Sequence, residues 1–195
     1  MEFDADLARK LPGSFPGTNL TVVNEDVLKF DFDGIREPYV VAGNIPYYIT
    51  SPIIRKVLTL ERKPERVVLL VQKEVAERIV SEKETVLSLF VKNYADISLG
   101  PVVKREEFTP PPKVDSQVVV MEPYSKPVVE TEVFDLIERG FRAPRKKLAH
   151  NLAGLRSKED LESILDKCGI SRDARPGDVG LNEWAKLWDY LKKEQ

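Results

Sequence analysis

Tyr39-Val40-Val41-Ala42 runs without a break into Gly43-Asn44-Ile45-Pro46-Tyr47-Tyr48, and the fold is read outward from this junction. Residues 39–42 are apolar with no polar alternation, as are residues 67–71, and such runs are expected of parallel strands covered on both faces. Further β-rich runs stand at 20–23, 67–72, 97–104 and 116–121. Between them, residues 51–60, 73–80 and 86–94 carry apolar side chains at three- and four-residue spacing, which predicts helices crossing between strands. The alternation predicts an α/β domain built on a buried parallel sheet.

The pattern changes after Met121, where Glu122, Pro123 and Pro127 bracket a polar stretch that reads as a linker. Helical periodicity then dominates residues 130–140, 145–152, 158–168 and 181–192. Ser157 and Gly169 supply start and stop signals for the third of these, while Trp184 and Trp188 fit the packing stripe of the last. The expected division is an α/β domain over residues 1–122 and a small all-helical C-terminal domain over 123–195. With 42% hydrophobic residues in 195, the chain has material for a core and is not a disordered polymer.

Composition narrows the chemistry. The longest apolar run is far shorter than the roughly 20 residues of a membrane span, and no secretory leader pattern opens the sequence, so the expected setting is cytoplasmic, with no membrane partner. One cysteine, Cys168, and one histidine, His150, exclude an internal disulfide and any metal site built from several such ligands, so no metal is expected. Thirty basic residues against 32 acidic ones give a net charge of -2, which does not advertise nucleic-acid binding over the whole chain. A local exception exists. Arg139, Arg142, Arg145, Lys146 and Lys147 fall within ten positions that hold no acid, a cluster able to meet phosphates or to serve as a solvated face.

In open α/β sheets ligands bind beyond the carboxyl ends of the strands, so Asn44, Ile45, Pro46 and Tyr47 are expected at the mouth of a site. An Asn amide oxygen and a backbone carbonyl fixed by proline can both accept hydrogen bonds from an exocyclic amine, and a tyrosine offers a face to a base. Those groups suit methylation of adenine at its amino nitrogen. That amine is a poor nucleophile, because its lone pair is delocalised into the ring. Two acceptors favour the pyramidal form, so the gain comes from positioning and electrostatics. Read alone, Asn-x-Pro-Tyr is equally a strand-ending turn. A second stretch, Phe108-Thr109-Pro110-Pro111-Pro112-Lys113-Val114-Asp115-Ser116, adds to the case: its prolines stiffen a segment that can hold Phe108 over a pocket opposite Tyr47.

These motifs resemble the small-subunit rRNA adenine N6-dimethyltransferase family and the related antibiotic-resistance rRNA methylases. The resemblance extends to Gln72-Lys73-Glu74-Val75-Ala76-Glu77-Arg78, to residues 141–152 with their Arg-Lys-Lys core, and to Gly169-Ile170 with Ala174-Arg175-Pro176. It implies a Rossmann-like sheet, S-adenosylmethionine as cofactor, and small-subunit rRNA in a 30S-type precursor as partner. It also implies roles: Asn44 orients the target amine with the Ile45 carbonyl, Pro46 shapes the turn, and Tyr47 and Phe108 stack the adenine. Glu2 matches the acid that binds the cofactor ribose, Asp26 the acid that binds its adenine amine, and the cluster from Arg139 to Lys147 an rRNA contact.

One departure accompanies the matches. The family's first strand and Gly-rich cofactor turn have no counterpart before Glu2, and residues 10–17, with two glycines and two prolines, read as a loop. The expectation is therefore an incomplete, truncated sheet with an exposed edge, satisfied by a complementing N-terminal segment, a dimer or a rearranged sheet. A non-catalytic rRNA-binding or ribosome-assembly module that has lost cofactor binding is the alternative to the enzyme.

Overall fold

The computed structural model describes residues 1–193. Four strands, β1 (Val40–Asn44), β2 (Arg66–Gln72), β3 (Ala95–Val103) and β4 (Ser116–Pro123), form one sheet in the order β1-β2-β4-β3. β1 lies parallel to β2, with Asn44 opposite Leu70. β4 runs antiparallel to both β2 and β3. The sheet is thus mixed and not wholly parallel. A parallel return from β3 would need a crossover of a dozen or more residues, usually a helix, and the segment joining β3 to β4 holds only a 3-10 turn at Arg105–Glu107.

The strands are also less enclosed than the apolar runs predict. Val67, Leu69 and Val71 of β2 are fully buried, whereas Val68 and Leu70 on the opposite face are half-buried. β1 pairs on one side only, and Val40 is 54% exposed. The run at 20–23 forms no strand. Its one ladder contact is the bridge between Glu2 and Asn24, with the Glu2 N–H donating to the Val23 carbonyl at 3.0 Å. A β-prone run needs a neighbouring strand to become one, and here only Glu2 lies alongside.

Helix α1 (Ala5–Ser14) begins at Asp4, whose carboxylate accepts from the N–H groups of Asp6 and Leu7. It continues through Pro12, so the first half of the expected loop at 10–17 is helical. The crossing helices α2 (Thr50–Thr59), α3 (Lys73–Val80) and α4 (Val86–Tyr94) stand where periodicity predicts them. Thr85 and Ser88 cap α4 reciprocally. Ile53, Ile54, Val57 and Leu58 of α2 are buried, as are Leu89 and Val91 of α4.

Beyond β4 come α5 (Glu132–Gly140), α6 (Leu148–Asn151), α7 (Lys158–Cys168) and α8 (Leu181–Lys193). Ser157 caps α7, and Gly169 ends it in the left-handed conformation at φ +77°. α6 is shorter than the 145–152 expected, because Lys147 is extended and the chain turns across Pro144 before the helix begins. Trp184 is wholly buried against α5, and a Cβ added at Gly140 would stand 2.3 Å from its ring. Only glycine fits there.

These helices are tied to the sheet. α5 and α8 pack on α4, and one apolar core runs through both halves. The stretch expected as a linker is pinned by buried Asn93, whose amide donates to the Val129 carbonyl and accepts from the Val129 N–H at 2.7 Å. Lys83 pairs with Asp178, and the Glu84 N–H donates to the Gly177 carbonyl at 2.8 Å.

Candidate active site

β1 ends at Asn44, and the chain then turns through Ile45 and Pro46 into a 3-10 turn at Tyr47–Ile49. The Pro46 carbonyl accepts from the Ile49 N–H at 3.1 Å and closes this turn. Ile45 buries its side chain, while its carbonyl has no hydrogen-bond donor among the described residues. The Asn44 amide likewise makes no hydrogen bond among them. Two acceptors without a donor among the described residues therefore belong to adjacent residues at the carboxyl end of β1. Gly43 keeps the approach tight: a Cβ there would press on the Ile45 side chain at 3.2 Å.

Asn44, Ile45 and Pro46 line a cavity of about 470 Å³, and Glu2 and Asp26 line it too. Sequence-distant acids reach this place through the 2–24 bridge, reinforced by the Asn24 amide donating to the Glu2 and Phe3 carbonyls at 2.9 and 3.0 Å. One Asp26 oxygen accepts from the Leu28 N–H at 2.9 Å, which fixes the carboxylate in a local turn. One Glu2 oxygen accepts from the Asp4 N–H at 2.9 Å. Val27, Ile49, Ile53 and Leu69 give the cavity apolar walls. Two carboxylates able to accept from hydroxyls and an amine, over an apolar floor, suit a nucleoside.

Tyr47 does not line that cavity. Its ring is half-buried, and its hydroxyl is 2.8 Å from the Ser116 hydroxyl at the start of β4. The neighbouring Tyr48, 84% exposed, is the tyrosine that faces the cavity. Adjacent aromatics in a tight turn point in different directions, and the sequence does not choose between them. Phe108 ends the 3-10 turn after β3 and is half-exposed; no ring pair joins it to Tyr47 among the described residues. Tyr47 is tied to Ser116 at the start of β4, and the segment that begins at Phe108 ends at Asp115, next to that serine in the chain. Asp115 anchors that segment, accepting from the Lys104 ammonium at 2.8 Å and the Arg105 N–H at 3.1 Å. These bonds, the Lys104 contact foremost, hold its carboxyl below the usual aspartate range. Ser116, which meets the Tyr47 hydroxyl, and Asp115, which anchors the segment, have no role assigned from the sequence. The signal for Asp115 was its place at the end of the proline-rich motif.

The basic cluster is spread over different settings. Arg139 is half-buried at the end of α5 and donates to the Ala153 carbonyl at 3.2 Å, tying two segments together. Arg142, Arg145 and Lys146 are exposed in the turn before α6. Lys147 pairs with Asp173.

Residues 1–193 match the family model described as ribosomal RNA adenine dimethylase. A ribosomal RNA small subunit methyltransferase A of Clostridium acetobutylicum is 35% identical over 185 residues, covering 89% of this chain and 67% of that protein. One of Dehalococcoides mccartyi is 38% identical over 199 residues, covering 96% of this chain and 68% of that protein. Among solved structures, the 23S rRNA methyltransferase ErmE superposes with a TM-score of 0.75 at 26% identity, over 98% of this chain and 80% of that one. A dimethyladenosine transferase from Plasmodium falciparum shares the fold, with a TM-score of 0.79 at 24% identity and the same coverage. A match that spans the described chain from end to end, carried by relatives above one-third identity, makes this protein a member of the ribosomal RNA adenine dimethylase family.

Proposed function

We propose that the chain is an S-adenosylmethionine-dependent rRNA adenine N6-dimethyltransferase acting on small-subunit rRNA in a 30S-type precursor. The observation that carries this reading is the single cavity that gathers Glu2, Asp26 and Asn44 beside the free Ile45 carbonyl. The residues present fit the cofactor: Glu2 would accept from the ribose hydroxyls and Asp26 from the adenine amine, with Val27 and Ile49 against the purine. When bound, the cofactor supplies an electrophilic methyl on a sulfonium. The protein's part is to orient the acceptor. Asn44 and the Ile45 carbonyl accept the two N–H bonds of the target amine and direct its lone pair, and Pro46 holds the carbonyl in place. Tyr47, fixed through Ser116, and Phe108, fixed through the Asp115 anchor, stack the extruded base. No general base of raised pKa is needed before transfer, since the proton becomes acidic only as the new bond forms.

In this reading, residues 1–122 carry methyl transfer and residues 123–195 meet the RNA through Arg139, Arg142, Arg145, Lys146 and Lys147. Replacing Arg145, Lys146 and Lys147 with Gln should weaken rRNA binding and lower its salt slope by about 0.7–0.9 per lost phosphate contact. An unchanged slope would return the cluster to a solvated face. The unpaired edge of β1 takes a further strand, from a complementing segment or a second copy of the chain. Sedimentation of the purified protein separates these sources.

The test is methyl transfer from labelled cofactor to undermethylated small ribosomal subunits, with the modified nucleoside identified by mass spectrometry. Dimethyladenosine in small-subunit rRNA supports the reading. RNA binding without any transfer, in a chain that also fails to bind cofactor, favours the assembly-module alternative suggested by the unpaired β1 edge.

A further inference from the structure

Asp26 sits in a stretch of chain with no ladder or helix of its own. Between the bridge at Asn24 and the start of β1 at Val40, the chain forms neither helix nor strand. Local hydrogen bonds shape the turn: the Asp26 carbonyl accepts from the Lys29 and Phe30 N–H groups at 2.8 and 3.0 Å, and its carboxylate from the Leu28 N–H. Those bonds all lie within five residues. They set the shape of the turn, and a longer-range tie is needed to set its place against the end of β1.

Lys56 supplies such a tie. It stands on α2 one turn after Ile53, which lines the cavity, and it does not line the cavity itself. Its ammonium donates to the Leu28 carbonyl at 2.8 Å and to the Phe30 carbonyl at 2.6 Å. It also lies 5.5 Å from the centre of the buried Phe32 ring, against which Phe30 packs edge-on. Lys56 is half-buried and pairs with no carboxylate among the described residues. An ammonium has three donors and no acceptor, and here two of the three go to main-chain carbonyls on either side of Lys29. A lysine that serves only solubility keeps its charged head in water. α2 follows directly from the Tyr47–Ile49 turn, so the helix that leads out of the Asn44 turn also grips the turn that carries Asp26.

We propose that Lys56 is a positioning residue for the cofactor site: by clamping the Leu28 and Phe30 carbonyls it holds the Asp26 carboxylate where it accepts from the adenine amine, and so sets the preference for adenine over a base with oxygen at that position. The proposal rests on the cofactor reading above, since Asp26 is the group positioned. With the clamp released, the turn at 26–30 samples other places. The affinity of a ligand that uses the turn then falls in proportion to the fraction of time it is in place. The amine contact is short-ranged and directional, so it suffers most, and the preference between the two bases falls with it. A lysine that merely supported the packing of α2 would leave that preference untouched.

The experiment titrates the full chain calorimetrically with S-adenosylhomocysteine and with S-inosylhomocysteine, in which a carbonyl oxygen replaces the adenine amine. The proteins are the unmodified chain, Lys56→Arg and Lys56→Met. The unmodified chain should prefer the adenosyl ligand. Lys56→Met should bind that ligand about fivefold more weakly, as for a turn in place about a fifth of the time, and should lose about threefold or more of the preference. Lys56→Arg keeps charge and donors and should stay within about twofold on both counts. Lys56→Met is checked by thermal melting; should it unfold early, Lys56→Gln is read in its place by the same preference. A variant without the clamp that keeps the full preference, its two affinities unchanged or lowered alike, overturns the proposal while the cofactor reading stands. If the unmodified chain binds both ligands equally well, the role of Asp26 falls with the proposal. If it binds neither, the cofactor reading falls too.

Discussion

At the residue scale, the proposed chemistry rests on two acceptors without partners among the described residues. The Asn44 side chain is exposed and its amide, like the Ile45 carbonyl, has no hydrogen-bond partner among the described residues, so both are open to a ligand at the end of β1. Asn44→Ala should therefore lower the methyl-transfer rate by about 100-fold or more, in the range seen when one oriented dipole is lost, while rRNA affinity changes by less than about twofold. Single-turnover transfer and equilibrium binding, measured side by side, check this; equal losses in both would remove the assigned role. The residues of this turn were legible in the sequence because Asn, Pro and Tyr each have a restricted chemical use there. Which tyrosine faces the cavity was not. Tyr47 and Tyr48 are the same residue type one position apart, and the structure tells them apart: the Tyr47 hydroxyl meets Ser116 while Tyr48 lines the cavity.

At the element scale, local periodicity served the helices well, and the apolar runs located β1, β2 and β4, because the information for each lies within it. Strand direction was another matter. It depends on partners, so the antiparallel placement of β4 between β2 and β3 could not be read from apolar runs that look alike in either sense. The same reason explains the run at 20–23, whose β propensity finds no neighbour beyond Glu2. Pro12 misled in the other direction, since α1 carries it in its last turn. The anchor of the Phe108 segment is an element-scale device with a pH signature. Because Lys104 and the Arg105 N–H depress the Asp115 pKa, the anchor is fully present above the ordinary aspartate value of about 4 and is lost as pH falls through the lower folded value. Amide exchange over residues 104–116, taken relative to the intrinsic rate at each pH, should stay constant between neutral and mildly acidic pH, then quicken below about pH 4. Asp115→Asn should quicken it already at neutral pH. A loop equally protected in both proteins at neutral pH would show that the anchor does not order it.

At the scale of the whole molecule, the change in composition after Met121 marks a boundary in sequence that the packing then bridges. α5 and α8 lie on α4, and Asn93 locks the intervening stretch through both atoms of its amide. Asn93→Ala leaves the half-buried Val129 N–H without its acceptor and should cost about 1–3 kcal/mol in global stability, read from a urea transition that stays cooperative. Two separated transitions would mean that the halves fold independently. No helix among the described residues is long and apolar enough to cross a membrane. In one cavity Glu2 and Asp26 meet the end of β1. Its most direct test is calorimetric titration of the chain with S-adenosylmethionine, beside Glu2→Gln and Asp26→Asn. Binding should saturate at one site per chain and be weakened about tenfold by either substitution through loss of a charge-assisted hydrogen bond. A correctly folded chain that takes up no cofactor, or takes it up equally well without those two carboxylates, would contradict it.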